Sequence, residues 1–150
     1  MGQSLVKNYM HLVFSTKNRQ PLIFPPIEER LHQYLGGICN DLNSQVLQVG
    51  GYHDHVHILC NVSKTISVSK LVQEIKGRSS IWIKKESPVT EHFYWQNGYG
   101  AFSVGRSELD RTVLYIQNQK THHGLIGYQD EMRTILRAYD LEWDERYYWD

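Results

Sequence analysis

The sequence predicts an α+β fold of the ferredoxin-like type, a β-α-β-β-α-β antiparallel sheet with helices on one face and further C-terminal helices. Two patterns support this prediction. Apolar runs typical of strands and apolar periodicities typical of helices alternate in that order between residues 8 and 104. The two central runs are separated by a short Gly/His/Asp segment, which favours a hairpin. With 150 residues and 41% hydrophobic content, the chain has the size of one domain with its own core.

Apolar spacing predicts the first strand and the first helix. Residues 8–15 are mostly apolar, as expected of a buried strand. A helix is predicted from Pro25-Pro26 to about Asn43, because proline is favoured at helix starts. Its apolar positions recur at helical spacing and are Ile27, Leu31, Tyr34, Leu35, Ile38 and Leu42. Gly36-Gly37 lies inside this pattern and weakens its centre.

Apolar patterns and turn residues also predict the other three strands and the second helix. The hairpin strands are predicted at Gln45–Gly50 and His55–Asn61. A second helix is predicted over Ser67–Glu86, with apolar residues along one side. A fourth strand at Ala101–Val104 completes the β-α-β-β-α-β order.

The C-terminal third is predicted to be helical. Ser107-Glu108-Leu109-Asp110 resembles a capping box and opens a helix over Leu109–Lys120. A last amphipathic helix is predicted at about 129–139. We expect residues 1–150 to form one domain, in which residues 128–150 are an acidic C-terminal helix and tail.

The net charge is zero, from 16 basic and 16 acidic residues, which by itself argues against a nucleic-acid binder. The charge is unevenly distributed, however. Residues 128–150 hold seven acids and three bases, which leaves 13 bases, nine acids and a net charge of +4 for residues 1–127. A mildly basic body of this kind can still hold a phosphate backbone.

The sequence favours a reduced, cytoplasmic setting without a membrane. It has no apolar run that approaches 18 residues, and residues 1–7 lack the charged-then-apolar order of a signal peptide. Cys39 and Cys60 are the two cysteines, and they lack the spacing of metal ligands.

Two histidines of the second hairpin strand could share a metal ion. His55 and His57 flank Val56, so on a strand their imidazoles point to the same side of the sheet. That arrangement can hold one divalent cation. They could equally be two half-buried imidazoles without a ligand. The neighbouring His53 and Asp54 could orient a ligand or simply serve the turn.

Tyr115 and Gln119 lie one helical turn apart in the predicted helix 109–120, on the same face. They lie off its apolar stripe, so the tyrosine is not needed to complete that stripe. A tyrosine hydroxyl can act as a nucleophile, and an amide oxygen can bind a hard metal. Rim packing and a surface amide are the alternatives. Together with the histidine pair, these residues offer the parts for phosphoryl transfer.

The second predicted helix carries basic residues that could follow a phosphate backbone or form only a solvated face. They are Lys70, Lys76, Arg78, Lys84 and Lys85. The aromatic segment 93–99 could stack bases or pack in the core.

Taken together, these motifs resemble the HUH-type single-tyrosine transposases of the insertion-sequence 200 type. The resemblance runs over nearly the whole chain in the same order and spacing. It rests on His55-Val56-His57, Trp95-Gln96-Asn97-Gly98-Tyr99, Phe102-Ser103-Val104, Tyr115-Ile116-Gln117-Asn118-Gln119, His122-His123, the strand His11–Phe14 with Lys17 and Arg19 after it, and the ending Leu141–Tyr148.

The resemblance implies a ferredoxin-like fold and a metal-dependent DNA transposase. His55 and His57 would bind Mg²⁺ or Mn²⁺, with Gln119 as the third ligand. Tyr115 would attack a phosphate of single-stranded DNA, leaving a 5′-phosphotyrosine and a free 3′-hydroxyl. No nucleotide cofactor is needed, because the phosphotyrosine stores the bond.

The resemblance also implies partners. The substrate would be single-stranded DNA with imperfect hairpins near the ends of the element. Lys17 and Arg19, with the bases of the second helix, are the expected DNA contacts. Relatives form homodimers in which the tyrosine helix of one subunit completes the metal site of the other. The setting would be the cytoplasm of a bacterium or archaeon, at the nucleoid.

Two other interpretations stay open. The segment 53–57 nearly matches the histidine-triad pattern of nucleotide hydrolases, but Asp54 breaks its alternation, and Tyr115 and Gln119 would lack a role. The other is a non-catalytic ferredoxin-like nucleic-acid binding module, or a transposase relative that binds without cutting. Metal dependence together with a covalent protein–DNA adduct separates the transposase from both.

Overall fold

The computed structural model describes residues 2–150 and contains a four-stranded antiparallel sheet with helices. The strands are β1 (Tyr9–Ser15), β2 (Val46–Tyr52), β3 (His55–Asn61) and β4 (Gly100–Ser103), in the order β2-β3-β1-β4. The helices are α1 (Ile27–Asp41), α2 (Val68–Lys84), α3 (Leu109–Gln117), α4 (Gln119–His122) and α5 (Tyr128–Ala138). This order confirms the predicted ferredoxin-like α+β fold.

The strand pairing determines which side chains share a face. In the β1–β3 ladder, Val13 lies opposite His57 and Ser15 opposite His55. Because side chains alternate along a strand, Phe14 and Val56 point to the other face. There they join the main core with α1 and α2. We call this the α1/α2 face, and the face that carries the histidine pair the site face.

Helix α1 is continuous through Gly36-Gly37, where the pattern was weakest. A Cβ on Gly36 would lie 3.4 Å from a methyl group of Val46, which is an ordinary van der Waals distance, so Gly36 lies where α1 packs against β2. Helix α2 begins at Val68, one residue after its predicted start, and Ser67 caps it: the Ser67 hydroxyl accepts a hydrogen bond from the Lys70 N–H at 3.1 Å.

The predicted helix 109–120 is wrong in two details. A 3-10 turn at Arg106–Glu108 precedes α3, and Ser107 does not cap the helix as a capping box would, because the residue at the cap position is Glu108. The helix also ends at Gln117, and Asn118 separates it from α4. Local spacing could not show this break.

Helices α3 and α5 cover the site face. A Cβ on Gly50 would lie 2.5 Å from the carbonyl oxygen of Ile116, so the glycine allows α3 to rest on the backbone of β2. Met132 and Leu136 of α5 pack with Val13 and Phe102 of the sheet in a second apolar cluster.

The aromatic segment and the C-terminal tail meet at Gln96. Its amide oxygen accepts from the Ser15 N–H at 2.8 Å, and its amide nitrogen donates to the Tyr148 carbonyl at 2.9 Å. Phe93 and Trp95 are buried in the main core, so packing rather than base stacking accounts for them. Among residues 2–150, no helix combines the length and the apolar character needed to cross a membrane.

Candidate active site

A buried polar cluster lies on the site face between β3 and the C-terminal helices. His55 and His57 are its base, and both are fully buried with ring centres 5.1 Å apart. They face the same way because one residue separates them on β3, as their spacing predicted. The two imidazoles therefore point toward the side chains that α3, α4 and α5 place on this face.

Each imidazole of the pair is oriented through its Nδ1 atom. Asp54 Oδ1 lies 2.7 Å from His55 Nδ1, and His11 Nε2 lies 2.7 Å from His57 Nδ1. Both Nε2 atoms are left to face the cluster. An imidazole that ligates a metal commonly has its other nitrogen held in this way. His53 takes no such role, because it stacks on Tyr52 with ring centres 4.1 Å apart.

Tyr115 and Gln119 converge on this cluster in spite of the break at Asn118. Gln119 is 1% exposed, and its Oε1 lies 3.0 Å from His55 Nε2. The half-buried Tyr115 ring lies edge-on to His57, with ring centres 5.7 Å apart. The Tyr115 hydroxyl donates a hydrogen bond to Glu131.

Glu131 of α5 is the site residue that the sequence analysis missed, since it was counted only among the acids of the tail. It is 2% exposed. Its Oε1 lies 2.9 Å from His123 Nε2 and 3.3 Å from His57 Nε2. A signal was present in the sequence: position 131 follows Tyr128 by three residues and precedes Ile135 by four, so a carboxylate stands in the apolar stripe of the helix.

The donor atoms fit a divalent cation. One ligand atom from each of His55, His57, His123 and Glu131 lies within 4.8 Å of all the others. Two ligands of one Mg²⁺ or Mn²⁺ at about 2.1 Å can be at most about 4.2 Å apart, so a cation requires only a modest contraction. The amide oxygen of Gln119 adds an oxygen donor beside His55.

The histidine pair is electrostatically asymmetric. Burial would lower the pKa of His55, but the carboxylates of Asp54 and Glu131 outweigh burial and raise this pKa to about 9. Burial lowers the pKa of His57 to about 4 and that of His11 to about 3. At neutral pH, His55 is therefore an imidazolium beside two neutral imidazoles.

The carboxylate of Glu131 and the phenol of Tyr115 have different protonation states at neutral pH. Burial opposes the ionisation of Glu131, yet hydrogen bonds with His123, His55 and His57 hold its pKa well below the usual range. Burial, reinforced by the Glu131 charge, raises the pKa of Tyr115 above its ordinary value. At neutral pH, the structure therefore pairs a carboxylate acceptor with a protonated phenol.

A cleft of about 340 Å³ opens beside the Tyr115 ring, between α3 and α5. Its wall includes Ile135 and Tyr139 of α5, and Arg111 of α3. The cleft gives a substrate access to the tyrosine from solvent.

The basic residues expected to contact DNA fall into two places. Lys17 and Arg19 lie in a 3-10 turn directly after β1. Arg19 lines a surface pocket together with Asp54, the residue that holds His55. Four of the five bases predicted on the second helix lie on α2, and Lys85 is the residue that follows it. This helix packs on the α1/α2 face, opposite the histidine pair.

Several of the α2 bases already have partners within the chain. Lys76 donates to the backbone carbonyls of residues 96, 97 and 98 at 2.8, 3.2 and 2.7 Å, which takes up all three ammonium hydrogens. Burial lowers the pKa of Lys76 to about 8. Arg78 pairs with Asp41 at 2.7 Å. Lys84 donates to Ser80 at 3.1 Å. These contacts favour a structural role for Lys76, and its contact with DNA stays a prediction.

The remaining bases of this set are Lys70 and Lys85, which are exposed. Lys70 lies 3.7 Å from Glu74, a surface pair that holds it only weakly. These two side chains are the most available for a phosphate.

Comparison with known proteins identifies the family. Residues 4–119 match the model of a family described as Transposase IS200 like, over most of the chain. The chain belongs to this family. The transposase is 26% identical over 114 residues to the transposase for insertion sequence element IS200 of Salmonella typhimurium, with 73% of this chain and 74% of the relative covered. The corresponding transposase of Salmonella typhi has the same identity and coverage.

Solved structures support the fold. A candidate transposase from Deinococcus radiodurans superposes with a TM-score of 0.61 at 21% identity, covering 79% of this chain and 96% of that one. A REP-associated tyrosine transposase bound to a REP hairpin gives a TM-score of 0.61 at 14% identity, covering 84% and 74%. The family match ends at Gln119, so Glu131 and α5 lie outside it.

Family membership decides the broad class of the protein. This transposase is a DNA-transposing enzyme, which favours the first interpretation over the histidine-triad nucleotide hydrolase.

Proposed function

We propose that this transposase cleaves and rejoins single-stranded DNA at the hairpin-marked ends of its element through a 5′-phosphotyrosine at Tyr115. One observation carries the proposal. The Tyr115 hydroxyl reaches the buried cluster formed by His55 and His57, the two residues that the resemblance names as metal ligands. A nucleophile and a cation site on one face of the sheet suit phosphoryl transfer, in which positioning and charge stabilisation dominate.

In this proposal, His55, His57 and Gln119 hold Mg²⁺ or Mn²⁺. The bound cation would polarise the scissile phosphate and stabilise the charge that develops on its oxygens. Asp54 and His11 keep the two imidazoles directed at the cation through their Nδ1 atoms. The burial of the pair excludes water, which strengthens these interactions.

The chemistry is an exchange of esters. The Tyr115 oxygen forms a bond to phosphorus, and the bond from phosphorus to the 3′ oxygen breaks. The proton that the phenol loses is balanced by the proton that the 3′ oxygen takes up. Because the phosphotyrosine is close in energy to the bond it replaces, a 3′-hydroxyl can reverse the reaction without ATP. Single-stranded DNA suits this site, because its phosphates and bases are accessible to the cleft beside Tyr115.

The DNA would be held by basic residues at two places. Lys17 and Arg19 follow β1, and Arg19 lines a surface pocket with Asp54. Lys70 of α2 and Lys85, which follows α2, are exposed. A structural neighbour of 14% identity is bound to a REP hairpin, which supports a hairpin as the partner type. The enzyme would work in the cytoplasm at the nucleoid, with residues 1–150 as one catalytic domain.

We further propose a homodimer that shares its active sites between subunits. In the single chain, Tyr115 and Gln119 meet the histidine pair of the same chain. A dimer that exchanges α3 and α4 would form the same contacts between subunits. Such an exchange requires a connection that opens before α3 and another that opens after α4. Residues 104–105, between β4 and the 3-10 turn, and the residues between α4 and α5 lie at these two positions.

The test is the capture of the covalent intermediate. The protein is incubated with Mg²⁺ and end-labelled single-stranded DNA that carries the hairpins flanking its own element. We expect a denaturation-resistant adduct whose labelled peptide maps to Tyr115 by mass spectrometry. An adduct on a histidine of segment 53–57 would instead support a nucleotide hydrolase, and cleavage without any adduct would refute the tyrosine mechanism.

A further inference from the structure

We propose that Glu131 is a further ligand of the divalent cation through Oε1, and that its Oε2 positions Tyr115 beside that cation. This inference rests on the metal site of the proposed function and adds a residue to it. Glu131 comes from α5, which lies outside the family match that ends at Gln119.

The charge of the proposed ligand set supports this role. His55, His57 and Gln119 are neutral when they bind a metal, so by themselves they provide no negative charge. Mg²⁺ and Mn²⁺ favour oxygen ligands and carboxylates above all. Glu131 is the carboxylate whose ligand atom lies with those of the histidines.

The burial of Glu131 also supports its role as a metal ligand. Only 2% of the residue is exposed, and its ion pairs within residues 2–150 are all with imidazoles, those of His55, His57, His122 and His123. An ionised carboxylate inside a protein must be paired or coordinate a metal, because the loss of hydration is costly. Histidines that bind a metal do so as neutral ligands, so in the metal-bound site the cation takes over the pairing of this carboxylate.

The two oxygens of Glu131 face different partners. Oε1 lies within 3.4 Å of Nε2 of His55, His57 and His123. Oε2 accepts hydrogen bonds from the Tyr115 hydroxyl and from Gln119 Nε2, the latter at 3.0 Å. One carboxylate therefore bridges the cation site and the nucleophile.

The packing of helix α5 positions Glu131 between the cation site and Tyr115. Tyr128 and Met132 flank Glu131 on the buried face of α5, and both are at most 3% exposed. Their packing against the sheet places the Glu131 side chain on the same buried side of the helix, where it contacts the imidazoles. If Glu131 binds the cation through one oxygen and Tyr115 through the other, only the carboxylate group separates the nucleophile from the cation. The tyrosine is then held close to the phosphate that this cation would bind.

The experiment measures Mn²⁺ binding to the full chain by the loss of the free-ion EPR signal. Glu131→Gln keeps the size of the side chain and one acceptor oxygen, and it removes the charge. Asp130→Asn is the matched control, because it removes one charge from the adjacent, exposed position of the same helix. We expect Glu131→Gln to weaken Mn²⁺ binding at least tenfold and the control to leave it unchanged.

The double variant His55→Ala, His57→Ala separates this inference from the proposed function. If the histidine variant loses Mn²⁺ and Glu131→Gln binds it like the parent, the inference fails and the metal site stands. If neither variant changes binding, both fail. Circular dichroism and the melting temperature without metal verify that each variant is folded.

Two further measurements test the bridge itself. In crystals of the parent protein soaked with Mn²⁺, anomalous scattering should place the ion about 2.2 Å from a Glu131 oxygen. An ion more than about 3 Å from that carboxylate overturns the proposal whether or not the variant folds. At Mn²⁺ levels that saturate the variant, Glu131→Gln should slow single-turnover adduct formation without changing DNA affinity. An unchanged rate would reject the positioning of Tyr115.

Discussion

Replacement of Tyr115 by phenylalanine removes one oxygen and leaves the ring in place, so it separates catalysis from packing. The ring keeps its edge-on contacts with His11 and His57. The variant loses the hydrogen bond from the phenol to Glu131. The Oε2 atom of Glu131 keeps the bond from Gln119 at 3.0 Å, so the buried carboxylate oxygen is not left unpaired.

The expected cost in stability is small. A hydrogen bond to a charged group contributes about 1.5–3 kcal/mol, and we expect about 1 kcal/mol here because Tyr115 is half-buried and Glu131 keeps other donors. In a chain of this length, that loss lowers the melting temperature by about 2–4 °C. The loss in catalysis is much larger. Removal of a positioned nucleophile typically costs about 10⁴-fold or more, so adduct and cleavage should fall below detection.

The assay is adduct formation on labelled single-stranded hairpin DNA, with hairpin affinity and melting temperature measured on the same samples. Tyr139→Phe is the matched control. Tyr139 lines the same cleft, and its hydroxyl donates to the Ser103 carbonyl at 2.8 Å, so the variant also loses one oxygen and one hydrogen bond. We expect the control to form adduct at the parental rate. An adduct in the Tyr115 variant, or equal loss in both variants, would refute the assignment of the nucleophile.

The other predictions concern assembly and the basic residues. If active sites are shared between subunits, a mixture of Tyr115→Phe with the double variant His55→Ala, His57→Ala should regain cleavage that neither variant has alone. The reason is that one of the two sites in the mixed dimer carries neither change. A mixture without cleavage would indicate that each site lies within one chain. Lys76→Met should lower the melting temperature by about 4–8 °C, because three hydrogen bonds to carbonyls are lost at a cost of about 2 kcal/mol. The salt dependence of DNA binding should not change. A shallower salt dependence would make Lys76 a phosphate contact. Lys70→Gln with Lys85→Gln should reduce the log–log salt slope by about one per phosphate contact, and an unchanged slope would leave α2 a solvated face.

The sequence predicted the elements whose signals are local. The strand that carries the histidine pair was predicted at His55–Asn61 and has these bounds in the structure. The orientation of that pair followed from the two-residue period of a strand. The bounds of α2 differ from the prediction by one residue at the start and two at the end, since Ser67 is the cap residue. Periodicity and capping are properties of neighbouring residues, so one sequence suffices to reveal them.

The bases of the second helix show what local sequence patterns could not predict. Five bases on one helix suggested a DNA-binding surface. The fold places that helix on the α1/α2 face and brings the segment 96–98 to Lys76 from 20 residues away. Whether a lysine is free for a phosphate or tied to a carbonyl depends on contacts between distant segments, and charge patterning along one helix carries no information about them.

By itself, the sequence determined the α+β order, the shared face of His55 and His57, and the spacing of Tyr115 and Gln119. Only the tertiary structure brought these pairs together and added Glu131 from α5. The reason is physical. Local patterns report the period of each element, whereas a buried carboxylate gains its function from the imidazoles that the packing of α5 against the sheet brings to it, 74 residues away in the case of His57.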